Sequence, residues 1–196
     1  MQHGRGSLNT LKTEMEQIKR IVVIGPESTG KTTLCKQLAG HYHTEWVPEF
    51  ARAYLLEHGM NYCYDDLLTI AKGQMDLELA TETQILHAAA QPRLFFIDTN
   101  MYVMQVWCEF VFQKCHTWIL EQIAQRPYDL YLLCNVDLPW VKDQLREYPD
   151  LESRNRLYHI YKQILISQEI PWVDVSGDYD QRLTTAIAAV NAMLNK

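Results

Sequence analysis

The sequence lacks any apolar stretch of the ~20 residues needed to cross a bilayer, and its first residues lack the apolar segment of a secretory signal. Its five cysteines are odd in number and include no Cys-x-x-Cys pair, which favours a reducing compartment over a disulfide-stabilised secreted fold. These absences argue against membrane-spanning and secreted classes. We therefore expect a cytoplasmic protein without a membrane partner.

Positive charge is also scarce. Lys and Arg total 18 against 24 Asp and Glu, a net charge of -6, and this argues against nucleic acid as a partner because binding to phosphate backbones usually shows a basic excess. The histidines show no metal-binding spacing, and no internal repeat is visible. At 196 residues and 47% hydrophobic composition, the chain predicts a tail or short helix over residues 1–19 and one globular domain over residues 20–196.

The most informative segment is an apolar β-branched run that leads into a glycine-bracketed loop and then a helical pattern. Its spacing, Gly25-x-x-x-x-Gly30-Lys31-Thr32, is that of a P-loop. The glycines let successive backbone N–H groups point inward, Lys31 reaches the β- and γ-phosphates, and Thr32 can ligate Mg²⁺. We therefore predict ATP and Mg²⁺ as cofactors. The predicted nucleotide contacts are Gly25, Glu27, Ser28, Thr29, Gly30, Lys31, Thr32 and Thr33.

Short apolar runs alternate with amphipathic segments along the rest of the chain. The predicted strands are 20–24, 44–47, 94–97, 128–134 and 172–175, and the predicted helices are 31–41, 49–56, 65–90, 101–112, 117–125, 154–168 and 182–194. This alternation predicts an α/β fold with a parallel five-stranded sheet flanked by helices. Asp65 and Asp66 are placed to cap the longest helix, and Leu79 is placed on its buried stripe.

Carboxylates and one arginine follow the predicted strands. Asp98 ends an apolar strand, where a P-loop protein places the carboxylate that orients Mg²⁺, although it could instead cap the next helix. Glu49 and Arg52 lie one helical turn apart beyond the second strand. They could form a surface ion pair of little energetic value. Alternatively, Glu49 accepts the proton of a substrate hydroxyl while Arg52 binds substrate oxygens.

The long irregular segment over residues 137–153 is predicted to be a lid. Arg146 and Arg154 are candidates to neutralise charge in the transition state, whereas Arg156 is interpreted as a solvated charge. Trp140 begins this segment and could stack on a flat heterocycle of the substrate. The loop that contains Gly177 could pass near the adenine of ATP or could only turn the chain.

Several segments together resemble the ribosylnicotinamide kinase family, the P-loop kinase domain of bifunctional NMN adenylyltransferase/ribosylnicotinamide kinase proteins and their stand-alone relatives. They are Gly-Pro-Glu-Ser-Thr-Gly-Lys-Thr-Thr-Leu (25–34), Val-Pro-Glu-Phe-Ala-Arg (47–52), Ile-Ala-Lys-Gly-Gln (70–74), Phe-Ile-Asp-Thr (96–99), and Asp-Leu-Pro-Trp (137–140) running on to Leu-Arg (145–146). The similarity spans roughly residues 21–182.

This resemblance implies a fold similar to nucleoside and nucleotide kinases and the ATP-dependent phosphorylation of the 5′-hydroxyl of nicotinamide riboside, giving nicotinamide mononucleotide. It implies that Lys31 and Thr32 contact phosphate and Mg²⁺, and that Asp98 lies on the metal side. Glu49 and Arg52 are implied on the substrate side, with Gln74 as a weaker substrate contact. Arg146 and Arg154 are implied as lid arginines.

Two departures from the family pattern bear on these expectations. The family commonly has a second acid where this chain has Asn100, which could change the preference for metal or substrate. The chain has no His-x-Gly-His motif and no room for an adenylyltransferase domain, so its reaction is expected to stop at the mononucleotide. A regulatory P-loop ATPase, a non-catalytic nucleotide-binding module and a kinase for another nucleoside or nucleotide are the alternatives.

Overall fold

A five-stranded, fully parallel sheet lies at the centre of the molecule. The computed structural model describes residues 18–88 and 93–195, so the predicted tail or helix up to residue 17 lies outside it. The strands are β1 (Lys19–Ile24), β2 (Trp46–Val47), β3 (Leu94–Asp98), β4 (Leu130–Cys134) and β5 (Trp172–Val175). Their spatial order is β2-β3-β1-β4-β5, and the predicted fold class is confirmed.

Seven helices among the described residues connect and cover the strands. They are α1 (Lys31–Tyr42), α2 (Phe50–His58), α3 (Tyr64–His87), α4 (Met101–Phe112), α5 (Thr117–Gln125), α6 (Leu151–Ser167) and α7 (Tyr179–Leu194). None of them is both long and apolar enough to cross a membrane. The segment predicted as a lid is irregular up to Asp150, which is the N-cap of α6.

The central strands are buried on both faces, as expected for a parallel sheet between helices. Along β1, Ile21 and Val23 pack into one core with residues of α1 and α7, while Val22 and Ile24 pack into a second core with residues of α3 and α6. A third cluster joins α2, α3, α4 and α5 beside the sheet. This arrangement fixes the carboxyl ends of the strands at one edge, where open α/β sheets bind ligands.

The predicted capping of α3 was correct for Asp66 and wrong for Asp65, and the predicted burial of Leu79 was wrong. Cys63 is the N-cap of α3, and Asp66 accepts a hydrogen bond from its backbone N–H at 2.7 Å, so Asp66 caps from the third helical position and Asp65 does not cap. Leu79 is 43% exposed. Besides its apolar residues, the buried side of α3 carries Gln74, Glu78 and Glu82, spaced four residues apart on one helical face.

Candidate active site

A cavity of about 530 Å³ opens at the carboxyl edge of the sheet. The P-loop and the amino end of α1 line one side, the start of α2 and the middle of α4 line another, and the irregular segment before α6 covers it. All the P-loop residues from Gly25 to Thr33 line this cavity, together with Glu49, Arg52, Asp98 and Arg146. The structure thus brings together most of the residues predicted to bind nucleotide and substrate.

The P-loop has the backbone conformation that its glycines permit. Gly25 has φ +144°, and a Cβ there would lie 2.7 Å from the carbonyl oxygen of Cys134 at the end of β4. Gly30 has φ +79° and is the N-cap of α1, while Ser28 has φ +57°. Since left-handed backbone is costly for residues other than glycine, the loop geometry explains both glycines of the motif.

The side chains of Lys31 and Thr29 both donate hydrogen bonds to a backbone carbonyl of the P-loop. Lys31 Nζ donates to the carbonyl oxygen of Pro26 at 2.8 Å, and Thr29 Oγ1 donates to the same oxygen at 2.7 Å. This one carbonyl therefore holds the Lys31 ammonium over the loop. The Lys31 side chain lines the cavity and can exchange this neutral partner for an anionic phosphate oxygen.

Asp98 ends β3 beside β1, where it is paired in register with Val23. Its side chain is fully buried, and Thr32 Oγ1 donates to its Oδ2 atom. Within the part of the chain that the structure describes, Oδ1 is buried with no hydrogen-bond partner. Burial raises the pKa of Asp98, while Lys31 and the Thr32 hydroxyl oppose this rise.

This pair of residues fits Mg²⁺. Magnesium prefers hard oxygen ligands and in nucleotide sites is held by one or two carboxylates together with phosphate oxygens. The Asp98 carboxylate and Thr32 hydroxyl form such an oxygen donor set, and the unpartnered Oδ1 of Asp98 is an acceptor that the protein itself leaves unsatisfied. Among the described residues there is no cluster of three or more His, Cys, Asp or Glu side chains that could hold a metal.

Glu49 is the half-buried N-cap of α2 and faces the same cavity. Its carboxylate accepts no hydrogen bond from any residue in the described ranges. Burial, reinforced by the negative charge of Asp98, raises the pKa of Glu49 to about 7, against the opposing charges of Lys31 and Arg52. A carboxylate with this pKa can take up a proton near neutral pH, as a general base must.

Arg52 forms an ion pair with Asp143, another residue that lines the cavity, and does not pair with Glu49. Its Nη2 atom lies 2.8 Å from Asp143 Oδ2 in the irregular segment, and its side chain is half exposed. The alternative of a surface ion pair between Glu49 and Arg52 is therefore not realised in the structure. The pairing places the Arg52 guanidinium at the entrance, within the residues that line the cavity.

The segment from Val141 to Tyr148 is attached directly to the P-loop. Ser28 Oγ accepts from the backbone N–H of Val141 at 3.0 Å and from Arg146 Nη1 at 3.2 Å. The Glu27 carboxylate accepts from the backbone N–H groups of Glu147, at 3.1 Å, and Tyr148. Glu27, which sequence analysis placed in the nucleotide site, thus holds the covering segment, and burial raises its pKa.

Arg154 lies in the first turn of α6 and is 3% exposed. It donates through Nη2 to the carbonyl oxygens of Ser28, at 3.2 Å, and Leu138, at 3.4 Å. Trp140 does not line the cavity, and its ring lies 5.7 Å from the guanidinium carbons of both Arg146 and Arg154. The structure therefore places Trp140 as the support of two arginines, while stacking on a substrate stays a prediction.

Three other predicted residues are engaged within the protein. Gln74 is 1% exposed and bonds to backbone on both sides of Glu49. Asn100 is fully buried, caps α4 through the N–H of Tyr102, and donates to the hydroxyl of Tyr131. The Gly177 N–H donates to Asp137 Oδ2 at 2.6 Å. None of the three lines the cavity as described, so direct ligand contacts by them stay predictions.

Arg182 is a site residue that sequence reasoning missed. Its guanidinium, 2% exposed, donates to the carbonyl oxygens of Thr29, Asn135 and Gly177 at 2.7–3.1 Å and pairs with Asp137. It therefore joins the P-loop to the loops that follow β4 and β5. The sequence shows an acid shortly after the fourth strand, but nothing in the spacing relates Asp137 to an arginine 45 positions later.

Aromatic residues also line the cavity without having been predicted as site residues. They are Trp46, Trp107, Phe110, Tyr148, Tyr161 and Tyr179. Trp107 lies on α4, and its indole N–H donates to the Tyr62 hydroxyl, which in turn donates to Glu147 in the covering segment. Sequence analysis assigns such residues to the core by default, because only the position of α4 relative to the P-loop shows that Trp107 reaches the cavity.

A sequence model for a family described as an AAA domain matches residues 20–182. Among curated proteins, the trifunctional NAD biosynthesis/regulator protein NadR of Salmonella typhimurium is 27% identical over 186 residues, 91% of this chain and 43% of the relative. The chain thus spans less than half the length of this relative. The similarity to NadR confirms the resemblance that the motifs predicted, and the family model covers nearly the same residues as that resemblance.

Two solved structures share the fold. A NadR protein in complex with NR superposes with a TM-score of 0.73 at 24% identity, covering 93% of this chain and 51% of that one. A NadR protein in complex with NAD and AMP-PNP superposes with a TM-score of 0.72 at 21% identity, covering all of this chain and 59% of that one. At these identities, the two structures establish the architecture of the chain.

Proposed function

The chain belongs to the AAA domain family, and from this membership and the site geometry we propose that it is an ATP-dependent kinase that phosphorylates the 5′-hydroxyl of nicotinamide riboside. The names of the similar proteins support the substrate assignment, because they include NAD biosynthesis, a complex with NR and a complex with AMP-PNP. The single observation that carries the proposal is the Glu49 carboxylate, which lines the same cavity as the P-loop and accepts no hydrogen bond from the described residues.

In the proposed reaction, the P-loop and Lys31 bind the β- and γ-phosphates of ATP. Asp98 and Thr32 would hold Mg²⁺, which when bound supplies positive charge at the phosphates. Glu49 accepts the proton of the acceptor hydroxyl while the oxygen of that hydroxyl bonds to the γ-phosphorus. The bond from the γ-phosphorus to the bridging oxygen breaks, and ADP leaves with that oxygen. The segment from Val141 to Tyr148 excludes water, which would otherwise compete as the acceptor.

The walls of the cavity suit a flat, positively charged acceptor. Trp107, Phe110 and Tyr148 supply aromatic rings, and Glu49 and Glu147 supply negative charge. The pyridinium ring of nicotinamide riboside is both planar and cationic, so it can be attracted to aromatic faces and to carboxylates at once. A neutral nucleoside would gain only part of this attraction.

The direct test is to incubate the purified protein with Mg-ATP and nicotinamide riboside and to measure ADP and nicotinamide mononucleotide by chromatography. Both products should form in equal amounts, and Lys31→Ala should abolish their formation. A panel of purine and pyrimidine nucleosides should react more slowly. ATP hydrolysis that needs no acceptor and is unaffected by Glu49→Gln would instead support a regulatory ATPase.

A further inference from the structure

The segment containing Gly73 and Gln74 is part of the motif pattern, yet neither residue lines the cavity. Both contact the start of α2. Gln74 Oε1 accepts from the backbone N–H of Phe50 at 2.8 Å, and Gln74 Nε2 donates to the carbonyl oxygen of Pro48 at 3.3 Å. These two hydrogen bonds flank Glu49, so one buried amide holds the backbone on both sides of the proposed base.

Gly73 makes this close approach possible. A Cβ atom at position 73 would lie 2.3–2.6 Å from three ring carbons of Phe50, the residue that follows Glu49. Real Cβ atoms do not approach other carbon atoms so closely, so any side chain there would push α3 away from α2 or displace the ring. The Gly73–Gln74 pair therefore acts as a unit, in which the glycine sets the distance and the glutamine makes the bonds.

The bonds from Gln74 also leave the Glu49 carboxylate free. The first N–H groups of a helix have no partner within it, and the N-cap side chain commonly accepts from one of them. Here the amide of Gln74 satisfies the N–H of Phe50, and the carboxylate of Glu49 makes no capping bond. No hydrogen bond from any described residue fixes this carboxylate, so its position depends on the backbone that Gln74 holds.

We propose that Gln74, with Gly73, is a positioning residue for Glu49, acting through the backbone of residues 48–50 and not through contact with the substrate. This inference rests on the proposed kinase function, in which Glu49 is the general base. A displacement of about 1 Å at a reacting group can lower a rate by roughly a hundredfold. Loosening the backbone at Glu49 should therefore reduce turnover without weakening nucleotide binding.

The test is a double-mutant cycle of Gln74→Met and Glu49→Gln, with turnover measured at saturating substrates. Methionine keeps the length of the side chain but makes neither hydrogen bond. Gln74→Met should lower kcat by about tenfold or more, shift the acid limb of the pH profile, and leave the Kd for ADP unchanged. In the Glu49→Gln background it should cause no further loss, because positioning a base that is absent has no value.

Several outcomes would overturn the inference. An equal loss from Gln74→Met in both backgrounds would mean that Gln74 acts independently of Glu49, and a higher KM for the acceptor at unchanged kcat would mean that Gln74 contacts the substrate. If Glu49→Gln leaves turnover unchanged, the proposed function fails, and this inference fails with it. If Glu49→Gln lowers turnover but the two changes are additive, only the inference fails.

Two further variants separate positioning from general damage to the fold. Thr81→Val is the matched control, since Thr81 is another buried polar residue of α3 whose side chain, among the described residues, bonds only within its helix, to the carbonyl oxygen of Leu77 at 2.9 Å. It should leave kcat and the pH profile unchanged. Gln74→Glu keeps an acceptor for the N–H of Phe50 and should recover part of the turnover lost in Gln74→Met. If Gln74→Met does not fold, Gly73→Ala takes its place in the cycle.

Discussion

Charged side chains are buried at both edges of the sheet, but the buried carboxylates of the two edges differ in whether they form ion pairs. At the amino edge, Arg126 pairs with Glu78 at 2.8 Å and with Glu82 at 2.6 Å, and Glu82 also pairs with Arg20 at 2.5 Å. At the carboxyl edge, the buried Arg182 pairs with Asp137, but the cavity-lining carboxylates of Asp98 and Glu49 make no ion pair with any residue that the structure describes.

The comparison shows that a shifted pKa does not by itself identify a reactive carboxylate. Burial raises the pKa of Glu78 to about 7, as it does for Glu49. Glu78, however, accepts hydrogen bonds from Arg126 and from the Tyr128 hydroxyl, whereas Glu49 accepts none from the described residues. Glu49 differs from Glu78 because its carboxylate lines a cavity and has no hydrogen-bonding partner among the described residues. A carboxylate in a structural ion pair can have the same raised pKa without being available for reaction.

The largest effect is expected from Asp98→Asn. This change removes the buried charge at the metal side while keeping the size of the side chain, and turnover should fall about a thousandfold, equivalent to about 4 kcal/mol. Thermal unfolding should not occur at lower temperature, because burial already disfavours the charge in the folded state. Retention of full kinase activity would contradict the role given to Asp98.

Arg126→Met should have the opposite pattern at the other edge. Removing this guanidinium leaves Glu78 and Glu82 without one of their cations in a buried position, and the free energy of unfolding should fall by about 3–5 kcal/mol at pH 8. The loss should be smaller at pH 5, where Glu78 is protonated. Chemical denaturation measures the change, and kcat of the folded fraction should match that of the original chain.

Glu49→Gln should lower kcat about a hundredfold or more. In the original chain, kcat/KM should fall as the pH drops below about 7, because Glu49 must be deprotonated to act as a base. The variant should lose this dependence. A profile that is flat from pH 5 to pH 8 in the original chain would exclude Glu49 as the base.

The same variant should also be more stable at high pH. The pKa of Glu49 is raised from 4.5 to about 7 on folding, so the folded chain holds the proton more tightly and its stability falls as the pH rises through this range. Glutamine removes that loss. The gain should be at most about 3 kcal/mol at pH 8 and close to zero at pH 4.5, as measured by thermal unfolding at both values.

The smallest effect is expected from Asp143→Asn, which breaks the pair with Arg52. The Arg52 side chain is half exposed, and exposed ion pairs contribute less than about 1 kcal/mol to stability. The free energy of unfolding should therefore change by less than that amount, in contrast to Arg126→Met. A loss of several kcal/mol would show that the covering segment contributes to the stability of the whole domain.

The fold and the phosphate side of the site could largely be predicted from the sequence. Apolar runs located all five strands, and Asp98 followed from its place at a strand end. The paired charges of the amino edge could not be predicted, because Glu and Arg side chains are assigned to the solvent-exposed surface by default. Glu82 lies 62 positions from Arg20 and 44 from Arg126, and Glu78 lies 48 positions from Arg126. Only the folded topology brings these residues together.

The roles of individual motif residues could be assigned only once the hydrogen-bonding partners of their side chains were known. Gln74 and Asn100 were considered as ligands of the substrate or metal, and the structure engages both in backbone or core contacts. A sequence motif indicates that a residue type matters at a position. It does not distinguish a residue that contacts a ligand from one that supports a neighbouring residue.

The Arg182 guanidinium has a consequence for motions of the molecule. Because one buried side chain holds Thr29, Asn135 and Gly177 at the same time, the loops after β1, β4 and β5 cannot open one by one without leaving its donors unpaired. Local fluctuations there should be cooperative, so that amide protons in the three loops exchange with solvent in a single opening event. The frame around the phosphates is thus rigid before any nucleotide arrives.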